Sequence, residues 1–103
     1  MSLKFGGKGK ELFEDLFKNE QVEFPVKYNL KVILDATIPD HQNRDELVKA
    51  LEELKVSHEN WKDKLSKNGR YISFTIHVEI VSREQLYALY NRLKDIPGVK
   101  FAV

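Results

Sequence analysis

The chain has 103 residues, of which 42% are hydrophobic and 32% are charged, and its formal net charge is +1. This length and composition predict one soluble globular domain with a single modest core, and they exclude a two-domain protein. The nearly neutral charge excludes a global attraction to nucleic acid or to a membrane surface, so any electrostatic recognition has to be local.

The sequence contains no cysteine, which excludes disulfides, thiolate nucleophiles and thiolate zinc sites. No apolar run approaches the roughly 20 residues that cross a bilayer, and the N-terminus lacks the apolar core of a signal peptide. We therefore expect a cytoplasmic protein.

Residues 1–23 are expected to form a flexible leader that carries a short amphipathic helix. The first ten residues are rich in glycine and lysine, and the stretch ELFEDLFKNE then puts apolar side chains on one helical stripe. Pro25 closes this segment, because proline fixes its own φ and restricts the residue before it. A compact domain is predicted over residues 24–103. The apolar stripe of the leader consists of Leu12, Phe13, Leu16 and Phe17.

The first two elements of the domain differ in their hydrophobic period. In VKYNLKVIL, apolar residues alternate with mostly polar ones, which is the two-residue period of a half-buried strand. The next stretch, IPDHQNRDELVKALEEL, has leucines at helical spacing. Asn43, with Glu46 three positions later, predicts the N-terminal cap of that helix.

A β-hairpin is predicted at Asn68-Gly69, because both residues tolerate the positive φ of a two-residue type I′ turn. The stretch YISFTIHVEI after it alternates apolar and polar residues, which indicates a strand with one covered face. A two-residue loop pairs Lys67 with Arg70, and counting outward from that pair sets the register of the hairpin. The predicted pairs are Leu65–Ile72, Lys64–Ser73, Asp63–Phe74, Lys62–Thr75, Trp61–Ile76 and Asn60–His77.

This register turns Trp61 and Leu65 toward the helices and points Asp63 inward. An inward charge is tolerated on an edge strand, where it opposes sheet-to-sheet aggregation. The strand before the turn is therefore expected at an edge of the sheet.

The last third of the chain predicts a helix and a short strand. Ser82 and Gln85 form a capping box ahead of apolar residues at helical spacing, and VKFAV follows Pro97-Gly98 as a strand. The order βαββαβ is the ferredoxin-like layout, an α+β sandwich in which two helices cover one face of a four-stranded antiparallel sheet. Right-handed crossovers give the strand order 4-1-3-2.

The stretches EFPVKYNLKVI, SKNGRYISFTIHVEIVSREQLYALYNRL and GVKFAV resemble the YbeD-like family of small uncharacterised bacterial proteins. The resemblance runs from about Phe24 to Val103 and rests on the order and spacing of these stretches. It implies a fold similar to that of ACT-type regulatory domains, and a link to lipoate metabolism that has been suggested for the group. Two departures from the family pattern are Asn68, an extra residue in the turn, and the first 23 residues, an N-terminal extension.

No catalytic or metal-binding constellation is expected. His41, His58 and His77 lie in three different elements, without a helical i, i+4 pair and without cysteine. Neighbouring positions on one strand face stand about 6–7 Å apart, too far for His77 to activate Ser73 or Thr75. The stretch GGKGK lacks both the preceding strand and the Gly-Lys-Ser/Thr motif of a phosphate loop. The sequence therefore predicts a non-enzymatic protein without a cofactor or a metal.

The uncovered face of the sheet is the candidate binding surface. The register collects lysines from three strands there, which is a local positive field on a nearly neutral chain. A purely solubilising role of these lysines is the alternative. The predicted ligand- or partner-binding residues are Lys27, Asn29, Lys31, Lys62, Lys64, Tyr71, Ser73, Thr75, His77 and Lys100.

Two functions are consistent with such a face. The first is a regulatory or adaptor module that binds an anionic small molecule or an acidic protein surface, as a monomer or a homodimer. The second is an RNA-binding module, since this fold serves RNA recognition and GRYISFTI resembles its strand-three signature. Only Tyr71 points outward, however, and Ser73 takes the place of the second stacking ring. The leader helix is expected to dock on its own domain, to mask the open sheet or to swap onto a neighbour, and we expect it to border the binding face.

Overall fold

The computed structural model describes residues 23–103 and places them in six elements. The amphipathic helix predicted in the leader lies outside the described residues, and the domain boundary at Phe24 stays a prediction. The predicted βαββαβ order is confirmed. The elements are β1 (Val26–Asp35), α1 (Asp40–Glu53), β2 (Ser57–Leu65), β3 (Tyr71–Ile80), α2 (Arg83–Lys94) and β4 (Val99–Ala102).

The four strands form one sheet in the order β2-β3-β1-β4, which is 4-1-3-2 when it is read from β4. The central strands β1 and β3 pair along their whole length, from Val26 opposite Ile80 to Asp35 opposite Tyr71. All three strand pairings are antiparallel. The predicted fold class and the edge position of β2 are confirmed.

Alternate residues of the central strands face the two helices and form the core. Burying a Leu, Ile or Phe side chain contributes about 1.5–3 kcal/mol, so this covered face supplies most of the hydrophobic stabilisation. Neither helix of the described residues is long and apolar enough to cross a bilayer. Core residues with 0–3% exposure include Leu30, Val32 and Leu34 of β1, Ile72, Phe74, Ile76, Val78 and Ile80 of β3, Leu47 and Leu51 of α1, and Leu86, Leu89 and Leu93 of α2.

The hairpin between β2 and β3 keeps the predicted register but not the predicted turn. The Ser66 N–H donates to the Tyr71 carbonyl (2.8 Å), so the loop spans residues 67–70. Within this loop only Gly69 has a positive φ, of 72°, whereas the Asn68 side chain accepts from the Arg70 N–H (3.0 Å). A loop over residues 67–70 has the same centre as the predicted two-residue loop, and the register is therefore unchanged. The pairs Leu65–Ile72, Lys64–Ser73, Asp63–Phe74 and Lys62–Thr75 are confirmed.

A bulge in the middle of β2 shifts the register of its first half. Glu59, not Asn60, lies opposite His77, so the predicted Asn60–His77 pair is wrong. Asn60 has a left-handed φ of 54° and supplies the extra residue of the bulge. Trp61 nevertheless packs against the core as predicted, with its ring centroid 6.1 Å from that of Phe74.

The two apolar residues of β2 have different surroundings. The Arg44 guanidinium lies 4.6 Å from the Trp61 ring centroid, and the Trp61 indole N–H donates to His58 Nδ1 (3.0 Å). Leu65, in contrast, is 55% exposed. The prediction that the helices cover Leu65 is wrong, because this residue ends the edge strand at a corner of the sheet.

Helix α1 begins before the predicted cap. Pro39 precedes its first residue, and the Pro39 carbonyl accepts from the N–H groups of Gln42 (3.0 Å) and Asn43 (3.1 Å). Asn43 lies inside the helix and is 1% exposed. Its side-chain amide donates to the carbonyls of Asp35 (3.2 Å) and Ile38 (3.4 Å). Asn43 is therefore not a cap but fastens the β1–α1 connection to the helix.

The predicted cap of α2 is confirmed and has a second role. The Ser82 hydroxyl accepts from the Gln85 N–H (3.1 Å). Gln85 Oε1 accepts from the Val81 N–H (2.8 Å), while its Nε2 donates to the carbonyls of Leu54 (3.0 Å) and Lys55 (3.2 Å). One side chain thus joins the start of α2 to the end of α1.

A pair of tyrosines lies under α2. The hydroxyls of Tyr28 and Tyr90 are 2.9 Å apart and share a hydrogen bond. Burial raises the pKa of Tyr28 to about 12, although the hydrogen bond with Tyr90 acts in the opposite direction. Burial, followed by the charge of ionised Tyr28 and the shared hydrogen bond, raises the pKa of Tyr90 well above its ordinary value.

Candidate functional site

The face of the sheet opposite the helices, called here the open face, is organised in rows of cross-strand partners. Side chains that are directly opposite one another on neighbouring strands point to the same face. Successive rows on this face are two residues apart along each strand, or about 6–7 Å. From the hairpin end to the start of β1 the rows are Asp35–Tyr71, Phe101–Ile33–Ser73–Lys64, Lys31–Thr75–Lys62, Asn29–His77–Glu59 and Lys27–Glu79–Ser57.

The hairpin end of the open face contains a cavity of about 410 Å³, called here the hairpin cavity. Its apolar walls come from all four strands or from residues beside them, and its three cations come from β1, β2 and the turn. The apolar rings stay accessible: Tyr71 is 41% and Phe101 38% exposed. The lining residues are Lys31, Ile33, Lys64, Leu65, Ser66, Lys67, Tyr71, Ser73 and Phe101.

The electrostatic environment of the hairpin cavity is positive. No carboxylate lines the cavity among the described residues, and Asp35 is the acidic residue of the adjacent row. Hydrogen bonds from the Thr37 hydroxyl (2.7 Å) and N–H (2.8 Å) hold the pKa of Asp35 below its ordinary value, and Lys100 acts in the same direction. Asp35 therefore stays ionised while its carboxylate accepts within its own turn, and this one acidic charge stands against the three lysines of the cavity.

The opposite end of the open face is polar and carries both signs of charge. His77 Nδ1 and Asn29 Oδ1 are 3.1 Å apart and hydrogen-bonded, and the bulge places Glu59 beside His77. Lys27 lies across from Glu79 in the last row. A second concavity of about 480 Å³ lies between the two ends. It is lined by Asn29, Asn60, Trp61, Lys62, Thr75 and His77.

The structure divides the predicted site residues into groups. Lys27 lies at the far end of the open face, beside Glu79. Lys100 falls at an irregularity of β4, where Phe101 rather than Lys100 pairs with Ile33. The five lysines therefore do not form one field, and only Lys31 and Lys64 of them share the hairpin cavity, together with Lys67. Lys31, Lys64, Tyr71 and Ser73 meet in the hairpin cavity, whereas Asn29, Lys62, Thr75 and His77 line the second concavity.

Sequence reasoning missed five residues of the hairpin cavity, one of which is Ser66 at the start of the turn. Ile33 breaks the polar set of β1, and an apolar residue among outward-facing positions was the available signal. Phe101 reaches the open face because the β1–β4 register shifts between Ile33 and Leu34, which alternation in VKFAV does not reveal. Leu65 and Lys67 line the cavity because the turn is wider than predicted.

The described residues show no cluster of histidines and carboxylates that could hold a metal ion. His58 lies between two partners, with the Trp61 N–H at Nδ1 (3.0 Å) and Glu52 Oε2 at Nε2 (3.4 Å). His77 contacts Asn29, and His41 lies exposed in α1. Each histidine thus has separate surroundings.

Solved structures confirm the fold. The solution structure of protein HP0495 from H. pylori has a TM-score of 0.64 at 17% identity, over 84% of this chain and 89% of that one. The C-terminal domain of the MgtC protein from Mycobacterium tuberculosis has a TM-score of 0.59 at 20% identity, over 81% of this chain and 88% of that domain. Both likenesses concern the fold alone.

Sequence relatives lie in bacteria. A UPF0250 protein of Shewanella piezotolerans is 34% identical over 82 residues, which cover 80% of this chain and 90% of the relative. A UPF0250 protein of Pseudomonas fluorescens is 28% identical over 79 residues, or 75% and 84% of the two chains. The family described as "Protein of unknown function (DUF493)" matches residues 19–103. The YbeD-like resemblance is thereby confirmed, and the chain belongs to the DUF493 family.

Proposed function

We propose that this chain is a non-enzymatic regulatory or adaptor domain whose hairpin cavity binds an anion with a short apolar body. The observation that carries the proposal is the combination of an exposed apolar surface and three lysines in one concavity. A volume of about 410 Å³ falls within the range of about 300–1,000 Å³ that is usual for small-molecule sites.

The apolar part of the cavity supports recognition of a hydrocarbon body. Ile33 and Phe101 are cross-strand partners and form a continuous apolar surface, while Tyr71 stands in the neighbouring row. Each ligand CH₂ group that leaves water contributes about 0.8 kcal/mol. A chain of several CH₂ groups would therefore account for useful affinity without any specific polar contact.

The lysines support recognition of a negatively charged head. Lys31, Lys64 and Lys67 line the same concavity, and an ammonium group prefers a carboxylate or a phosphate partner. Glu59 lies two rows from Lys64, about 13 Å along the strands, which exceeds the screening length of about 8 Å at physiological ionic strength. Glu59 therefore does not neutralise the positive charge of the cavity.

The proposed ligand class agrees with what the family resemblance implies. Lipoate is a carboxylate on a short apolar chain, so the suggested link to lipoate metabolism fits a site of this chemistry. The alternative of an acidic protein surface is less favoured, because a standard protein interface buries roughly 800 Å² on each partner and the cationic region is confined to one end of the face.

RNA binding stays the second prediction from the sequence and is also less favoured. Base stacking needs exposed rings on neighbouring strands, and Tyr71 is the exposed ring of the central strands while Phe101 lies on edge strand β4. Glu59 and Glu79 at the other end of the face would repel a phosphate backbone. The cytoplasmic location and the choice between monomer and homodimer also stay predictions.

Octanoate, an eight-carbon carboxylate, is the probe that tests the proposal. Amide shifts in ¹H–¹⁵N spectra of the full chain should move at Ile33, Ser73 and Phe101 when octanoate is added. Lys64→Glu should weaken binding about tenfold, because it replaces an attraction by a repulsion in the cavity.

Lys27→Glu is the matched control, since it makes the same change in net charge at the far end of the open face and should alter binding less than twofold. Octylammonium, with the same body and the opposite charge, should not bind. Equal weakening by both variants, or equal binding of both amphiphiles, would refute a specific anion site. A salt-sensitive gel shift with single-stranded RNA, without octanoate binding, would favour the RNA-binding alternative.

A further inference from the structure

The chain itself contains a segment whose composition matches the hairpin cavity. Residues 11–17 read ELFEDLF and combine three carboxylates with four apolar side chains. The hairpin cavity presents the complementary set, three ammonium groups around exposed apolar side chains. This correspondence of both charge and hydrophobicity points to one occupant for the cavity.

Exposure of the cavity residues supports an apolar occupant. Leu65, Tyr71 and Phe101 are 55%, 41% and 38% exposed, three of the five large hydrophobic residues with substantial exposure among residues 23–103. All three line the hairpin cavity. Contiguous exposed apolar surface of this kind marks interaction sites on soluble proteins.

The outer surface of the helices matches the segment less well. The exposed carboxylates of α1 outnumber its two exposed cations, Arg44 and Lys49, so this helix would repel the carboxylates of the segment. The exposed carboxylates are those of Asp40, Asp45, Glu52 and Glu53. In α2, Arg92 already donates to Glu53 (3.1 Å) and Arg83 lies 5.7 Å from the Phe24 ring centroid. Charge therefore favours the open face over the helical side.

The length of the intervening chain permits the contact. The described residues begin at Glu23, just before β1. Twelve Cα–Cα steps join Glu11 to Glu23 and reach about 40 Å when extended. Lys31 and Ile33 lie about 17–23 Å along β1 from Val26, and the three steps from Glu23 to Val26 add at most about 10 Å. Residues 11–17 can thus cover the hairpin cavity without help from a second chain.

We propose that residues 11–17 occupy the hairpin cavity of the same chain as a tethered, displaceable occupant that competes with the anion. The competition rests on the proposed function, whereas the docking does not. A short tether gives the segment an effective concentration in the millimolar range, and a site occupied nine-tenths of the time binds a competitor about tenfold more weakly.

The docking is tested by a nitroxide spin label on the full chain. The absence of natural cysteines allows a single label at Lys10→Cys, next to the segment. Amide signals of Ile33, Ser73 and Phe101 should broaden, while those of Lys49 and Asn91 on the helices should not. Replacing Leu12, Phe13, Leu16 and Phe17 together by Ser should abolish the selective broadening.

Each other result overturns same-chain docking. Uniform broadening would mean that the segment has no preferred position, and broadening at Lys49 or Asn91 would put it on the helices. In a mixed sample, ¹⁴N chains carry the spin label and the spectra detect ¹⁵N chains without a spin label. The signals of these ¹⁵N chains should not broaden. Broadening at the cavity in that mixed sample would mean that the segment binds a second copy instead.

The regulation is tested with octanoate on the same variants. The four-Ser variant should bind octanoate about tenfold more tightly than the unchanged chain, and replacing Glu11, Glu14 and Asp15 by Gln, Gln and Asn should give part of that gain. Selective broadening without octanoate binding to any variant would refute the proposed function but leave the docking intact. Octanoate binding that is equal in all variants would refute the regulation and leave the proposed function intact.

Discussion

The covered and the open faces of the sheet are built by the same alternating strands but differ in how uniform they are. On the covered face, Phe74, Ile76 and Val78 of β3 are at most 1% exposed. On the open face, the rows change from apolar and basic at the hairpin cavity to polar with both charges around His77 and Glu59. One side of each central strand therefore serves stability, and the other is the side on which we propose binding.

The difference shows that the burial of one face of a strand and the chemistry of its other face depend on separate features of the sequence. A covered face needs only an apolar residue at every second position, because burial stabilises any of them. The chemistry of an open face depends on which residues of neighbouring strands share a row. The irregularities at Asn60 and between Ile33 and Leu34 determine which residues share a row. As a result, one end of the open face is apolar and basic and the other carries both signs of charge.

Removing one aromatic ring from each face should produce the largest difference in stability between the two faces. Phe74→Ala should lower the free energy of unfolding by about 3–5 kcal/mol, since it leaves a cavity between the core and the Trp61 ring. Tyr71→Ala should cost less than about 1 kcal/mol, because Tyr71 is 41% exposed and lies outside the core. Urea denaturation followed by circular dichroism measures both losses. Similar losses would show that the open face is packed as tightly as the covered one.

The covered face was predictable from the sequence, and the reasons lie in particular residues. Ile72 to Ile80 alternate without interruption, which set the buried face of β3, and the Ser82–Gln85 box located α2. The register of the hairpin survived a wrong turn type because widening a loop by one residue on each side does not move its centre. Fold class and strand order followed from these local features together with the handedness of crossovers.

The composition of the candidate site was less predictable, because it depends on pairings that no local pattern encodes. A left-handed Asn60 and the irregularity before Phe101 each exchanged one side chain on the open face for another. Asn43 was also misread: the spacing to Glu46 fits a cap, but the carbonyls of Asp35 and Ile38 bind its amide in the fold. Asp35 and Ile38 lie outside the Asn43–Glu46 spacing from which the cap was predicted.

Alkaline pH should weaken the covered face through the tyrosine pair. Burial raises the pKa of Tyr28 to about 12 from 10.0, so the folded state keeps a proton that the unfolded state loses above pH 10. This contribution is complete below pH 10 and falls by about 1.4 kcal/mol per pH unit between pH 10 and 12. Urea denaturation at a series of pH values measures the slope. In Tyr28→Phe the slope should be shallower, and an unchanged slope would assign the alkaline loss to other groups.

Substitutions at the bulge in β2 give the smallest and most specific test of the difference between the two faces, since the bulge determines residues of the open face alone. Asn60→Gly should leave stability within about 0.5 kcal/mol, because glycine adopts a φ of 54° without a Cβ clash. Asn60→Val should cost about 1–2 kcal/mol, because a β-branched residue resists this conformation.

Both variants should keep the backbone contact between Glu59 and His77 in nuclear Overhauser spectra. Trp61, packed between Arg44 and Phe74, anchors the strand just after the bulge and opposes a slip of register. If Asn60→Val instead kept full stability and brought position 60 opposite His77, the regular ladder would be an accessible alternative. Glu59 would then no longer lie beside His77 on the open face. The packing of Trp61 would in that case not be enough to hold the register that places Glu59 there, and the charge difference between the two ends of the face would not be fixed by the fold.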